Sequence, residues 1–157
     1  MNAEEWLVDG YNLLHAYPSG KSSHTRKNRE AFLAELAAFA SAEGRVMLVV
    51  LDGQGDPAEL DIHRTELFRV VYSQKVSADA CIERILYERR TEARFTVVTN
   101  DRAISNIARG AGAAVLSAAS FLERLGQTRG ESSDALNKNK LRSHGFNRPF
   151  EDKLKDL

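Results

Sequence analysis

Cysteine is nearly absent: the 157 residues contain one, Cys81, which excludes an intramolecular disulfide and leaves no Cys/His spacing for zinc. A free cysteine is most often a small core residue, and Cys81 is read that way. Net charge is absent as well. The 22 Lys and Arg match 22 Asp and Glu, whereas a generic polyanion binder is plainly basic. The balance is uneven along the chain, since residues 1–125 hold 15 basic and 17 acidic side chains and residues 126–157 hold 7 and 5. No apolar run approaches the roughly 20 residues needed to span a bilayer. The opening Met1-Asn2-Ala3-Glu4-Glu5 is acidic and leads straight into an apolar run, unlike a signal peptide. The expectation is a cytoplasmic protein with no membrane partner. What is present is 43% hydrophobic and 28% charged residues, enough apolar material for one real core, so disorder is not the default.

Short apolar runs alternate with segments of helical period. Trp6-Leu7-Val8 enters Asp9-Gly10, Val46 to Leu51 enters Asp52-Gly53, and Leu67 to Tyr72 makes a third run. Phe95 to Thr99 enters Asn100-Asp101, and Ala113 to Leu116 is a weaker fifth. Continuous β-branched runs bounded by turn residues suit strands buried on both faces of a parallel sheet. Helices are predicted over 28–43, over 78–91 with Ser77 as N-cap, over 103–109 stopped at Gly110, and from 117 or 118 to 125. The alternation implies a three-layer α/β/α sandwich around a central, mainly parallel sheet. Residues 1–125 form the expected domain. Residues 126–157 read as a basic, mobile arm, with a short terminal helix over 150–156.

Three strands end directly in an acid, Asp9, Asp52 and Asp101, and Asp79 opens the helix after the third strand. In an open parallel sheet all four converge on the carboxyl edge, where ligands bind. Clustered carboxylates repel and raise one another's pKa. A divalent cation removes the conflict, and all-oxygen donors favour Mg²⁺ or Mn²⁺ over zinc. Each acid also has a bland reading: Asp9-Gly10 and Asp52-Gly53 as turns, Asp79 as a dipole complement, Asp101 as a helix cap. Asn12 can position water, a metal ligand or a phosphate, or simply end a turn. Thr99 and Asn100 can orient Asp101, donate to a scissile phosphate or merely end a strand, and Glu83 lies one helical turn after Asp79, either behind the site or as a solvated surface acid.

These residues form motifs. Leu7-Val8-Asp9-Gly10-Tyr11-Asn12-Leu13-Leu14 resembles the opening "VDGYN" signature of the YacP-like branch of the NYN domain family. Val50-Leu51-Asp52-Gly53 stands where the family has a Phe-Asp stretch. Ser77-Ala78-Asp79-Ala80-Cys81-Ile82-Glu83 is similar to its "T-A-D-x-x-I-E" helix start, and Thr96-Val97-Val98-Thr99-Asn100-Asp101-Arg102 to its "V-V-T-S-D-R" strand end. The resemblance covers residues 6 to about 125 in four ordered motifs; Asn100 replaces a common Ser and Ser77 a common Thr, and residues 126–157 have no evident counterpart. It implies a PIN-like ribonuclease fold that cleaves single-stranded RNA with Mg²⁺ or Mn²⁺. Asp9, Asp79 and Asp101 would be the metal-binding catalytic acids, Asn12 the polar partner of the first, and Asp52 a contributor at the rim.

Bringing a polyanion to an acidic site needs basic groups around it. Lys21, Arg26, Lys27 and Arg29 follow the first strand, Lys75 precedes Asp79 and Arg102 follows Asp101, which makes them the expected phosphate contacts. Tyr11, His15, Tyr17 and His24 are candidates for stacking on unpaired bases, Tyr11 equally for packing. The stretch from His15 to Lys27 reads as one long substrate-binding loop. Arg129, Lys138, Lys140, Arg142 and Arg148 suit an arm directed at messenger RNA or the ribosome, and equally an inert tail. Rival folds are disfavoured. A receiver domain needs an acidic pair after its first strand and a late Lys, yet no Lys stands between Lys75 and Lys138; Asp9-Gly10-Tyr11 lacks the Asp-x-Asp of a haloacid-dehalogenase phosphatase; and no phosphate-binding G-x-x-x-x-G-K-[ST] is present. The expected activity is hydrolytic cleavage leaving 5′-phosphate and 3′-hydroxyl ends, the alternative an inactive RNA-binding or protein-interaction module on the same fold.

Overall fold

The computed structural model describes residues 3–17 and 25–129. Five strands, β1 (Ala3–Asp9), β2 (Met47–Leu51), β3 (Phe68–Tyr72), β4 (Ala93–Val98) and β5 (Ala114–Leu116), form one sheet in the order β3-β2-β1-β4-β5. Every pairing is parallel, with Asp9 level with Val50 and Val8 level with Val98. Burial on both faces is what the continuous apolar runs required. Trp6, Leu7 and Val8 are all buried although alternate side chains leave opposite faces of the strand.

One face holds Leu7, Val50 and Val97 against Cys81, Ile82 and Leu86 of α4 (Ala78–Glu88) and Ile104 and Ala108 of α5 (Arg102–Gly110). On the other, the Trp6 ring meets Phe39 of α2 (Arg26–Glu43) at 5.9 Å and Phe121 at 5.4 Å. Phe39 and Phe121 also meet edge to face at 5.1 Å, the offset geometry aromatic quadrupoles prefer. The result is the expected three-layer α/β/α sandwich. Cys81 is buried, as its type suggests.

Helix ends follow the capping signals. The Thr25 hydroxyl accepts from Asn28 N, the Ser77 hydroxyl accepts from Ala80 N, and Gly44 closes α2 in the left-handed conformation at φ 64°. Two short helices lie where none was predicted. α1 (Gly10–Ala16) follows β1 without a break, and α3 (Pro57–Asp61) follows β2 with Asp56 as N-cap and Pro57 in its first turn. The expected loop from His15 to Lys27 is therefore helical at both ends; Lys21 and His24 lie outside the described residues. The helix predicted to stop at 125 continues through 129. The terminal helix over 150–156 and the basic residues from Lys138 onward lie outside the described residues. The chain divides into two units, Met1–Glu123 and Arg124–Leu157, and the sheet belongs to the first.

Candidate active site at the carboxyl edge of the sheet

Strand order reverses between β1 and β4. The chain moves from β1 through β2 to β3 on one side, then crosses to β4 and β5 on the other. A crevice opens at such a point beyond the strand ends. Asp9, the last residue of β1, and Thr99-Asn100-Asp101, directly after β4, stand on its two walls.

Asp9 is 7% exposed, and its Oδ2 accepts the Thr99 hydroxyl at 2.9 Å. The same Thr99 oxygen accepts the backbone N–H of Asp101 at 3.0 Å, so one buried hydroxyl fixes both walls. Burial pushes the Asp9 carboxyl up to about 6; the Thr99 hydrogen bond works against this, while the charges of Asp79, Asp101 and Asp52 add to it. Three acids from distant parts of the sequence thus lie within electrostatic reach of Asp9. Thr99→Val keeps the side-chain shape and removes both bonds. The Asp9 carboxyl then titrates above its present value of about 6, which a carbon-detected NMR titration reads directly; an unmoved midpoint would contradict the role given to Thr99.

Each acid's remaining bonds decide what it has free. Asp101 is also the N-cap of α5, with Oδ1 accepting from Ile104 N at 3.0 Å. Asp52 is exposed, and its Oδ1 accepts from Ser73 Oγ at 3.2 Å and Ala78 N at 3.1 Å, which ties the end of β2 to the start of α4. Asp79, half-buried in the first turn of α4, accepts no hydrogen bond among the described residues. Asn12, on α1, accepts Asn100 N through its Oδ1 at 2.7 Å. That bond turns its NH₂ end away from the Asn100 backbone. Asn100 in turn caps the helix over 118–129, its Oδ1 accepting from Ala118 N at 3.0 Å. Glu83 is exposed and bonded to none of these groups, which is the solvated reading.

The donor set is oxygen-only and carries excess negative charge, so the residues that could hold Mg²⁺ or Mn²⁺ are Asp9, Asp79 and Asp101, with Asp52 nearer solvent. Among the described residues no three acidic, His or Cys side chains are already gathered as a preformed ion cage.

The YacP-like NYN domain family matches residues 6–156. The chain belongs to this family. Two crystal structures of Rae1 (YacP) from Bacillus subtilis share the fold. A Trp-to-Leu mutant matches with TM-score 0.70 and 22% identity over 89% of this chain and 84% of that one. The unmutated protein matches with TM-score 0.69 and 20% identity over 97% and 90%. No curated protein matches this chain in sequence. The protein is thus a PIN-like nuclease domain of the YacP-like NYN type. The family match also runs through the segment 126–156, which the motifs alone left without a counterpart.

Around the candidate site the expected phosphate contacts divide. Lys27, Lys75 and Arg102 are exposed. Arg29 is not a free cation: its Nη2 lies 3.2 and 3.1 Å from the two oxygens of Glu59 on α3, which also accepts the Tyr72 hydroxyl at 3.1 Å. The Tyr72 phenol is pushed up to about 12, first by burial and then by Glu59. Arg26 shares Glu59 at 3.2 Å and Glu30 at 3.1 Å but remains largely exposed. Glu59 is the residue that sequence reading missed. Its only local sign was the Asp56-Pro57 helix start, because its partners are 13, 30 and 33 positions away. Tyr17 packs edge to face on Phe32 at 5.3 Å, which favours a packing role over base stacking. His15 is exposed and Tyr11 half-buried.

Proposed function

We propose that this protein is a divalent-metal-dependent endoribonuclease that hydrolyses phosphodiester bonds of single-stranded RNA, such as messenger RNA, in the cytoplasm. The observation that carries the reading is Asp9: a buried carboxyl held up at about 6 by desolvation and three further acids, on the crevice where strand order reverses. A cluster so costly when empty is explained by a cation that it binds. Asp9, Asp79 and Asp101 would hold Mg²⁺ or Mn²⁺, with Asp52 at the rim. When bound, the ion would supply charge neutralisation at the phosphodiester and activation of water.

The protein's own groups do the rest. Thr99 holds the Asp9 carboxylate in place and fixes the backbone that carries Asp101. Asn12, oriented by Asn100 N, directs its NH₂ group toward a non-bridging phosphate oxygen. Lys27, Lys75, Arg102 and the outer edge of Arg26 engage flanking phosphates, and Arg29 supports Arg26 through Glu59. Labelled single-stranded RNA incubated with Mn²⁺, Mg²⁺ or EDTA tests the reading. Cleavage is expected with either ion, none with EDTA, and a loss of about 10³-fold or more for Asp101→Asn. Cleavage that survives both EDTA and the substitution would sink the assignment, and RNA binding without cleavage would favour an inactive binding module.

A further inference from the structure

β3 is an outer strand of the sheet. Leu67 O accepts from Met47 N at 2.8 Å and Ser73 N donates to Leu51 O at 2.9 Å, so odd-numbered residues along β3 turn their N–H and C=O toward β2. Even-numbered residues turn theirs outward. Phe68 is satisfied there by exchanging bonds with Thr65 at 3.0 and 3.4 Å. Val70 and Tyr72 have no such partner among the described residues, and their backbone groups form an open edge. A row of this kind is a template for another strand.

The spacing of that row is self-complementary. When a second copy lies antiparallel with a two-fold axis at Val71, Val70 faces Tyr72 of the second copy and Tyr72 faces its Val70. Every outward N–H then meets an outward C=O, and nothing on the edge stays unpaired. We propose that this protein forms an isologous homodimer by antiparallel pairing of β3 with β3 of a second copy across an axis at Val71.

The surface beside β3 suits that occupant. A groove of about 830 Å³ runs between β3 and α4. Leu48, Val71 and Ile85 form its apolar floor, and Val71 is only half-buried until its counterpart covers it. The rim carries Arg69 and Arg84 and also Glu66 and Glu88, none of which forms an ion pair among the described residues. Unpaired charges of both signs repel half of any polyanion's contacts, whereas a second copy brings the complementary set. Arg69 falls opposite Ser73 of the second copy, so no like charges meet across the strands. The two five-stranded sheets become one continuous sheet. Because the paired strands run in opposite directions, the two acidic crevices open on opposite edges, and each works alone.

The pairing is small, and a dissociation constant on the order of 10 µM is expected. Sedimentation velocity of the full chain at about 100 µM should therefore show mostly twice the 17.5 kDa chain mass. Val71 and its counterpart form a non-hydrogen-bonded pair with Cβ atoms about 4.5–5.5 Å apart, within a small shift of disulfide range. Val71→Cys should cross-link on oxidation, and Ser73→Cys, which faces Arg69 of the second copy, should not. Val70→Pro removes an N–H that the isolated chain leaves unused, so it should give a folded monomer, with only the modest loss of stability that a trimmed core side chain brings. Val71→Lys places like charges across the axis and should give a monomer even if the proline variant folds poorly. A monomeric wild-type chain at that concentration would overturn the proposal. So would cross-linking of Ser73→Cys as readily as Val71→Cys, or a Val71→Lys chain that stays dimeric.

Discussion

The Asp9→Asn substitution is expected to raise the thermal midpoint near neutral pH and to abolish the proposed RNA cleavage. The Asp9 carboxyl titrates at about 6 in the folded protein against 3.8 ordinarily. Between these values the folded chain holds a proton that the unfolded chain has released. Stability therefore falls as pH rises through this window. The penalty is complete above the folded value and absent below the ordinary one. A shift of about two units corresponds to about 3 kcal/mol at most. The introduced amide cannot ionise, and its oxygen can still accept the Thr99 hydroxyl, so the variant gains about 1–3 kcal/mol and several degrees. The gain should vanish when both proteins are melted below pH 3.8. Added Mn²⁺ should stabilise the wild-type chain far more than the variant. An Asp9→Asn protein no more stable than wild type near neutral pH would contradict the buried-acid account, whatever its activity.

Gly10→Ala is expected to cost about 3 kcal/mol and to lower the melting temperature by about 10 °C. Gly10 starts α1 immediately after Asp9, where the chain leaves β1 against β2. A Cβ there would stand 2.5 Å from Leu51 Cδ2, 2.9 Å from Val50 O and 3.0 Å from Val49 Cγ1. The leucine methyl can rotate away, but the Val50 carbonyl belongs to the central sheet, with Val50 level with Asp9. Making room displaces the residue that carries the acid, so activity should fall with stability. Gly53→Ala is the control. Its φ of 93° strains any side chain, yet nothing stands within 4 Å of the added carbon. Only about 1 kcal/mol is expected there. Equal losses in urea unfolding would remove the close-approach argument.

Much of the site was legible because its residues occupy positions that local pattern marks. Asp9, Asp52 and Asp101 follow apolar runs and Asp79 follows a capping serine, and parallel strands leave few places for such ends to go. Asp101 is a helix cap through Oδ1, and its charge also raises the Asp9 pKa. Asp52 leaned toward the structural reading, its Oδ1 holding the start of α4. The basic residues were harder to place. Arg29 looks like any exposed arginine near a helix start until Glu59, 30 positions on, is brought against it. α1 and α3 were hidden for a different reason. Asp-Gly at 9–10 is common turn chemistry, and helices of seven and five residues are too short for a helical period to show.

The sequence by itself determined the elements that rest on local chemistry: apolar runs long enough for strands, capping residues at helix starts, and carboxylates at strand ends. Tertiary structure alone decided how those ends relate. Strand order β3-β2-β1-β4-β5 set Asp9 beside Thr99 and made β3 an outer strand. Burial then turned an ordinary aspartate into one that titrates at about 6. Neither outcome is written in any short window, because desolvation and charge coupling depend on distances between residues far apart in the chain. Zero net charge had counted against a nucleic-acid partner. In the folded protein the charges of Asp52, Asp79 and Asp101 all reach Asp9 while Lys27, Lys75 and Arg102 stay exposed, so the sum had concealed a separation that only folding produces.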